Sequence, residues 1–270
     1  MTLYVLRRLV AMVGVLFVVT AITFSVFWVL PNNDPAVAMA GKSPKQGQVE
    51  AIRKEWGFDK SLPEQYVTTM RKVFTGDLRS YANSGDDVME RVGDGIPRTL
   101  SLTLGAAVLM ILGGVALGVL SARRAGRLPD RAISVFSVFA VATPVFLLGA
   151  LVSYFLGSKL GLIPPGGYAG LRDDGIAQWA WHLVAPCLVL AVGFIGVYAR
   201  VLRSDMITAM RSDYVRTARA KGLPEQQVVR RHGLRTALIP TFTLWGLDIA
   251  LILGGGAILT EKAFDLGGVG

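Results

Sequence analysis

The chain has 270 residues, 52% of them hydrophobic and 17% charged, with a formal charge of +9 and one cysteine. Its mean hydropathy is +0.49 and its apolar residues are gathered into long uncharged runs, which excludes an ordinary soluble domain. The single thiol, Cys187, excludes an internal disulfide and says nothing about redox compartment.

Uncharged runs occupy 9–30, 99–122, 132–158 and 183–199, and a further run at 236–260 holds one charge, Asp248. A helix needs about 20 residues to cross the hydrocarbon core, so the pattern predicts an all-α polytopic membrane protein with five transmembrane helices. The charge is partitioned. The N-terminus, 121–131 and 200–235 together carry 15 Lys/Arg against 4 Asp/Glu, whereas the other segments outside the runs are nearly balanced. By the positive-inside rule the basic segments are cytoplasmic, as is the N-terminus. The basicity is thus topological, and a nucleic-acid partner is not expected.

In chain order, Arg7 and Arg8 precede a 22-residue apolar run, Leu9 to Leu30, followed by Pro31, Asn32, Asn33 and Asp34. The run is too long for a signal peptide and lacks a small-residue cleavage pattern, so residues 1–30 read as a retained first span. Residues 31–98 form an extracytoplasmic segment with two short amphipathic helices. Val49, Ile52 and Trp56 recur at helical spacing before Gly57; Tyr66, Met70, Val73 and Phe74 do so after Pro63. The segment either caps the outer ends of the spans or helps to receive a delivered solute or its carrier. Gly41-Lys42-Ser43 has the end of a phosphate-binding loop, but position 36 is Ala where that loop needs Gly, so no nucleotide site is expected in this chain.

Residues 99–270 form the core. Gly105, Gly113, Gly114 and Gly118 in the second span suit close helix packing. Pro144, near the middle of the third span, removes a helical hydrogen bond and bends or locally opens the helix, either as simple geometry or to line a pathway. Trp179 and Trp181 suit the outer interface. His182 and His232 are the only histidines and lie on opposite sides, with no spacing that suggests a metal site or a catalytic nucleophile. Asp248 is the one acid within a span. It faces a bundle interior or water, where it meets a cationic part of a solute, pairs with a neighbouring helix, or hydrogen-bonds while protonated. Gly254 to Gly256 suggest close helix packing.

Between the last two runs lies a basic segment, 200–236. Val215, Ala218 and Gly222 fall on one helical stripe, Gly222 suits a left-handed helix end, Pro224 can open a second helix, and Glu225 favours its first turn. This predicts a helix, a sharp corner and a helix. The small-residue stripe would admit another protein, with Arg216, Arg219 and Lys221 at its flanks. A solvated loop that merely fixes topology fits the same residues.

Asp213-Tyr214-Val215-Arg216-Thr217-Ala218-Arg219-Ala220-Lys221-Gly222-Leu223, followed by His232, Leu234, Arg235 and Ala237 to Pro240, resembles the cytoplasmic "EAA" loop of permease subunits of binding-protein-dependent ABC importers, in the dipeptide, oligopeptide and nickel branch. Gly233 and Thr236 depart from the branch pattern. Asp34-Pro35-Ala36, Trp56-Gly57-Phe58, Leu62 to Tyr66 and Gly76 to Leu78 are similar to the same branch, as is a proline at Pro144, so the resemblance extends over nearly the whole chain.

The resemblance implies the ABC type I importer permease fold in a bacterial inner membrane. Glu261 to Gly270 resemble the segment before a sixth span, so the complete chain is expected to have six and this one to stop short of it. The implied partners are a second homologous permease, identical or a paralogue, two ATPase subunits and an extracytoplasmic solute-binding protein. This chain would hold no cofactor, ATP and Mg belonging to the ATPases. Asp213, Tyr214, Arg216, Ala218, Arg219, Lys221, Gly222, Leu223 and Pro224 would couple it to them, with Ala218 and Gly222 allowing close approach; Pro144 and Asp248 are candidates for the pathway. The implied cargo is a peptide or similar small solute. A proton-coupled secondary transporter using Asp248 is the alternative, and an intramembrane enzyme is weakly supported by one acid.

Overall fold

The structure, a computed structural model, describes residues 2–29, 34–41, 47–80 and 86–270. Residues 30–33 and the Lys42-Ser43 pair lie outside them. The chain divides into two compact units, Met1–Val92 and Gly93–Gly270. The division falls six residues before the boundary at 98/99 read from the sequence.

In the first unit, α1 (Thr2–Phe24) is uninterrupted, almost wholly apolar beyond Arg7 and Arg8, and long enough to cross a membrane. The helices α2 (Pro35–Ala40), α3 (Gln48–Trp56) and α4 (Leu62–Thr75) follow, and a two-residue antiparallel pair, β1 (Arg79–Ser80) and β2 (Asp86–Asp87), closes the unit. Asp34 caps α2 by accepting from the Ala36 N–H at 2.9 Å and forms an ion pair with Arg53 of α3. Ile52 and Trp56 bury against Ala36 and Ala40, and Gly57 ends α3 with φ 66°, a conformation without penalty only for glycine. Ser61 and Glu64 build a capping box at the start of α4. Tyr66 lies edge-on to Phe17 and Phe24, and its hydroxyl is 2.7 Å from that of Thr20. Val73 and Phe74, expected on the same inward stripe, are exposed instead. The buried face of α4 runs through Gln65 and Thr69, one position away from the apolar stripe.

The second unit is organised by two parallel helices, α5 (Val88–Arg123) and α8 (Gly175–Met210), each of 36 residues. At 1.5 Å per residue each is about 54 Å long, so both project well beyond a bilayer core. Their seam is made by missing side chains. A Cβ added at Gly105 would lie 2.6 Å from Cys187 Sγ, at Gly113 2.8 Å from Ile195, at Gly114 2.5 Å from Tyr198 Cβ, and at Gly118 2.9 Å from Leu202 Cβ. The expected packing role of these glycines is therefore met by one partner, α8.

The chain returns between these helices through α6 (Leu128–Ala142) and α7 (Val145–Val152), the latter continued by a wide helical turn to Lys159. The two halves meet at 99° around Thr143 and Pro144. Thr143 is extended, as the residue before a proline prefers, and Pro144 has no N–H to continue the ladder. Both halves follow α8: Asp130 lies at Arg203, Ser137 at Gly196, Ala140 at Gly193, and Gly149 at Val189. Among the described residues four helices are long and apolar enough to cross a membrane, α1, α5, α8 and the run Glu225–Gly256, and the bent pair makes a fifth if it counts as one span.

The last run is helix α11 (Leu234–Leu251), antiparallel to α8. It ends at a kink where Gly255 has φ 129°, open only to glycine, while a Cβ at Gly254 would meet nothing. Gly255 thus serves backbone geometry where helix packing was expected. Beyond it, α12 (Ile258–Ala263) carries the buried Glu261, which accepts from Thr99 Oγ1 at 2.5 Å and from the Gly270 N–H at 2.9 Å. These bonds pin the end of the chain to α5.

Candidate functional site

At the basic end of the second unit the helix α8 stops at Met210, and Arg211 and Ser212 turn the chain into α9 (Asp213–Ala220). Ser212 is extended and donates its hydroxyl to the Ala209 carbonyl at 2.6 Å. Gly222, at φ 76°, ends the segment, with the Leu223 N–H returning to the Ala218 carbonyl at 3.4 Å. Pro224 then caps α10 (Glu225–Gln227), which runs through a wide π-type turn, Val228–Gly233, into α11. The corner predicted from the sequence is present. The segment around it is helical almost throughout, since 200–210 extend α8 and 225–233 extend α11.

Val215 and Ala218 are buried, and they pack on Met210, Leu223 and Val228 of the same chain. Ala218 therefore does not offer the backbone to another protein, as its place on a small-residue stripe suggested; its smallness seats α9 on α8 and on the turn after α10. Gly222 is exposed with open space at its Cβ position, so its part is the left-handed corner. Tyr214, Arg216 and Lys221 form the outward face. Arg216 donates to Asp213 at 3.2 Å, and both are exposed. Arg219 is already engaged, its Nε and Nη2 donating to the two Glu225 oxygens at 3.1 and 2.8 Å across the corner. That ion pair ties α9 to α10. Both partners are solvent-exposed, so water and salt screen the pair and it contributes little to the stability of the fold.

Pro144 borders an apolar groove of about 410 Å³ between the broken crossing and α8, lined among others by Val141, Leu148, Gly193, Phe194 and Gly256. Asp248 lies on the buried side of α11, in line with Ala237, Thr241 and Ile252, and accepts from the hydroxyl of the fully buried Tyr198 at 2.8 Å. Tyr198 is its one hydrogen-bond partner among the described residues. Asp248 and Pro144 thus reach α8 from opposite flanks. His182 Nδ1 lies 2.9 Å from the Gln178 carbonyl, one helical turn back on the exposed start of α8.

The sequence reading missed one constellation. Asp130, 3% exposed, accepts from Arg203 Nε and Nη2 at 2.6 and 2.7 Å, from Ser121 Oγ at 2.5 Å, and from the Gly126 N–H at 2.7 Å. Its signal was in plain view: Asp130 is the one acid in the basic segment 121–131.

These features define a multi-pass, all-α membrane protein whose basic end presents a two-helix corner. A family model described as "Binding-protein-dependent transport system inner membrane component" matches residues 114–270, and the corresponding N-terminal model matches residues 1–103. The chain belongs to this family and is an inner-membrane permease component of an ABC importer. It is 34% identical to a probable peptide ABC transporter permease protein of Sinorhizobium fredii over 270 residues, covering all of this chain and 85% of that one. It is 33% identical to the glutathione transport system permease protein GsiC of Escherichia coli and of Pectobacterium atrosepticum, over 99% of this chain and 84% of theirs. Membership of a transport permease family makes ATPase and binding-protein partners general properties of the system to which the chain belongs, and does not favour a proton-coupled carrier.

Proposed function

We propose that this chain forms half of the translocation pathway of an importer for peptides or a similar small solute, a second homologous permease forming the other half and two ATPase subunits engaging the cytoplasmic corners. The cargo class rests on the names of the relatives, a peptide permease and glutathione permeases, of which the last carry a modified tripeptide. The basic end of the second unit is the cytoplasmic one, as is the N-terminus, because the Lys/Arg excess lies there. The chain has no nucleotide site of its own; ATP and Mg bind to the ATPases. A binding protein delivers solute from the other side.

The observation that carries this reading is the construction of the corner. Its inner face is seated on its own chain through Val215 and Ala218, while Asp213, Tyr214, Arg216 and Lys221 are left on the outside. A polar surface on a rigidly seated helix is suited to receive a force and hand it on. Closure of the ATPases would move α9, and with it α8 and α11, to exchange outward for inward access. Leu223 and Pro224 set the corner, and Gly222 permits it. In the pathway, the break at Pro144 gives α6 and α7 a place to change their angle, and Asp248 supplies a negative charge without a cationic partner among the described residues.

Two experiments test this. Complexes captured from solubilised membranes with the native chain should contain ATPase subunits and hydrolyse ATP, and Gly222→Trp should lose both while remaining folded. Capture of no ATPase by the native chain under conditions that keep complexes together would sink the reading. For the pathway, Asp248→Asn retains an acceptor for Tyr198 and removes the charge. It should shift preference away from solutes with a free amine while leaving ATP hydrolysis in place; unchanged preference removes Asp248 from the pathway.

A further inference from the structure

The carboxylate of Asp130 joins four parts of the second unit. Ser121 belongs to the last turn of α5, Gly126 to the connection, Asp130 to the first turn of α6, and Arg203 to α8 two turns before Met210. A two-pronged guanidinium contact fixes direction as well as distance, and the two further donors leave neither carboxylate oxygen unsatisfied.

Farther along, the α6–α8 contact includes pairs that are different in kind. Ser137 and Ala140 meet Gly196 and Gly193; a Cβ added at Gly196 would lie 3.0 Å from the Ser137 carbonyl oxygen, and at Gly193 3.5 Å from that of Ala140. Smooth contact between small residues permits the helices to shear past one another. Among the described residues, the hydrogen bonds between α6 and α8 are those from Arg203 to Asp130. Fourteen residues along α6 from Asp130, about 20 Å by helical rise, lies Pro144 with the 99° break and the apolar groove.

We infer that Asp130 and Arg203 are positioning residues for transport, forming the joint through which a tilt of α8, driven at the corner, is imposed on α6 and delivered to the break at Pro144. The inference rests on the importer reading given above. With the joint intact, α6 follows α8 as one body. Without it, α8 slides along its glycines and the displacement does not reach the groove. Removing either partner leaves a desolvated charge behind, so the conservative substitutions Asp130→Asn and Arg203→Lys are the informative ones.

The test uses the assembled importer and needs no knowledge of its solute. Cys187, the single cysteine, is buried in the α5–α8 seam with its thiol directed at the Leu102 carbonyl, so a maleimide reports on an introduced thiol. Val141, exposed beside the groove, is the site for it. In complexes carrying Val141→Cys, the rate of labelling should differ about fivefold between the nucleotide-free state and the ATP–vanadate-trapped state. With Asp130→Asn or Arg203→Lys added, ATPase subunits should still copurify and trap nucleotide, but the difference should collapse. A purely structural pair would instead lower the yield of complex and leave the difference per complex intact, which overturns the inference, as does a labelling rate that trapping never changes. Absence of copurifying ATPase from the unsubstituted chain would mark failure of the importer reading itself. Where Asp130→Asn does not assemble, Arg203→Lys, which keeps the charge and gives up the second prong, decides the matter.

Discussion

Gly222 occupies φ 76° with open space where a side chain would project, so the demand there is conformational and not steric. Alanine at this position meets the left-handed penalty, about 1 kcal/mol. Gly222→Ala should therefore leave the spans folded, loosen the end of α9 in hydrogen exchange, and weaken ATPase retention less than Gly222→Trp does. Asp34 makes a different residue-scale prediction. The Arg53 guanidinium, followed by the Ala36 N–H, holds its carboxyl below the usual carboxylate range. A group whose proton affinity is lowered by folding stabilises above its unfolded value and loses that contribution as pH falls through the folded one. Protection of α3 amides should accordingly decline as pH drops below about 4, and Asp34→Asn should lose most of that dependence. Both residues were readable in part: Gly222 as a helix stop, Asp34 only as an acid before a proline. That Arg53, 19 positions along the chain, meets Asp34 is a contact which local pattern does not encode.

At the scale of elements, the α5–α8 seam leaves no room for added side chains at four glycines of α5. Gly114→Val would place new atoms against Tyr198, whose backbone-proximal Cβ lies 2.5 Å from the site and cannot swing away. The substitution should cost about 1–3 kcal/mol of overpacking, measured as a lower thermal midpoint in detergent, with Gly93→Val, where nothing lies within 4 Å, as the silent control. The glycine run was visible in the sequence as a packing face, but its partner was not, since any of four helices could have filled it. The break at Pro144 was legible as a bend. Its 99° magnitude arises because Thr143 is extended as well, so the chain loses helical geometry at two successive residues. The corner after α8 shows the opposite limit. Spacing put Val215 and Ala218 on one face but joined the exposed Gly222 to it and pointed the face at the wrong neighbour, because a small face looks the same whether its own chain or another protein covers it.

For the whole molecule, the excess of Lys/Arg at one end predicts orientation. A thiol introduced by Lys221→Cys should react with a membrane-impermeant maleimide in inside-out vesicles and not in intact cells; the reverse would invert the topology. The sequence by itself determined the class of protein, its long apolar runs, the basic segments between them and the presence of a helix–corner–helix segment. These follow from composition and short-range periodicity, since a membrane rewards each helix one at a time. The tertiary structure alone decided which glycine meets which helix, that Ala218 faces inward, that Asp248 is met by Tyr198, and that Asp130 and Arg203 bind across 73 residues. Those are contacts between helices already formed. They depend on how the helices rotate and slide against one another, and no window of sequence shorter than the whole unit carries that information.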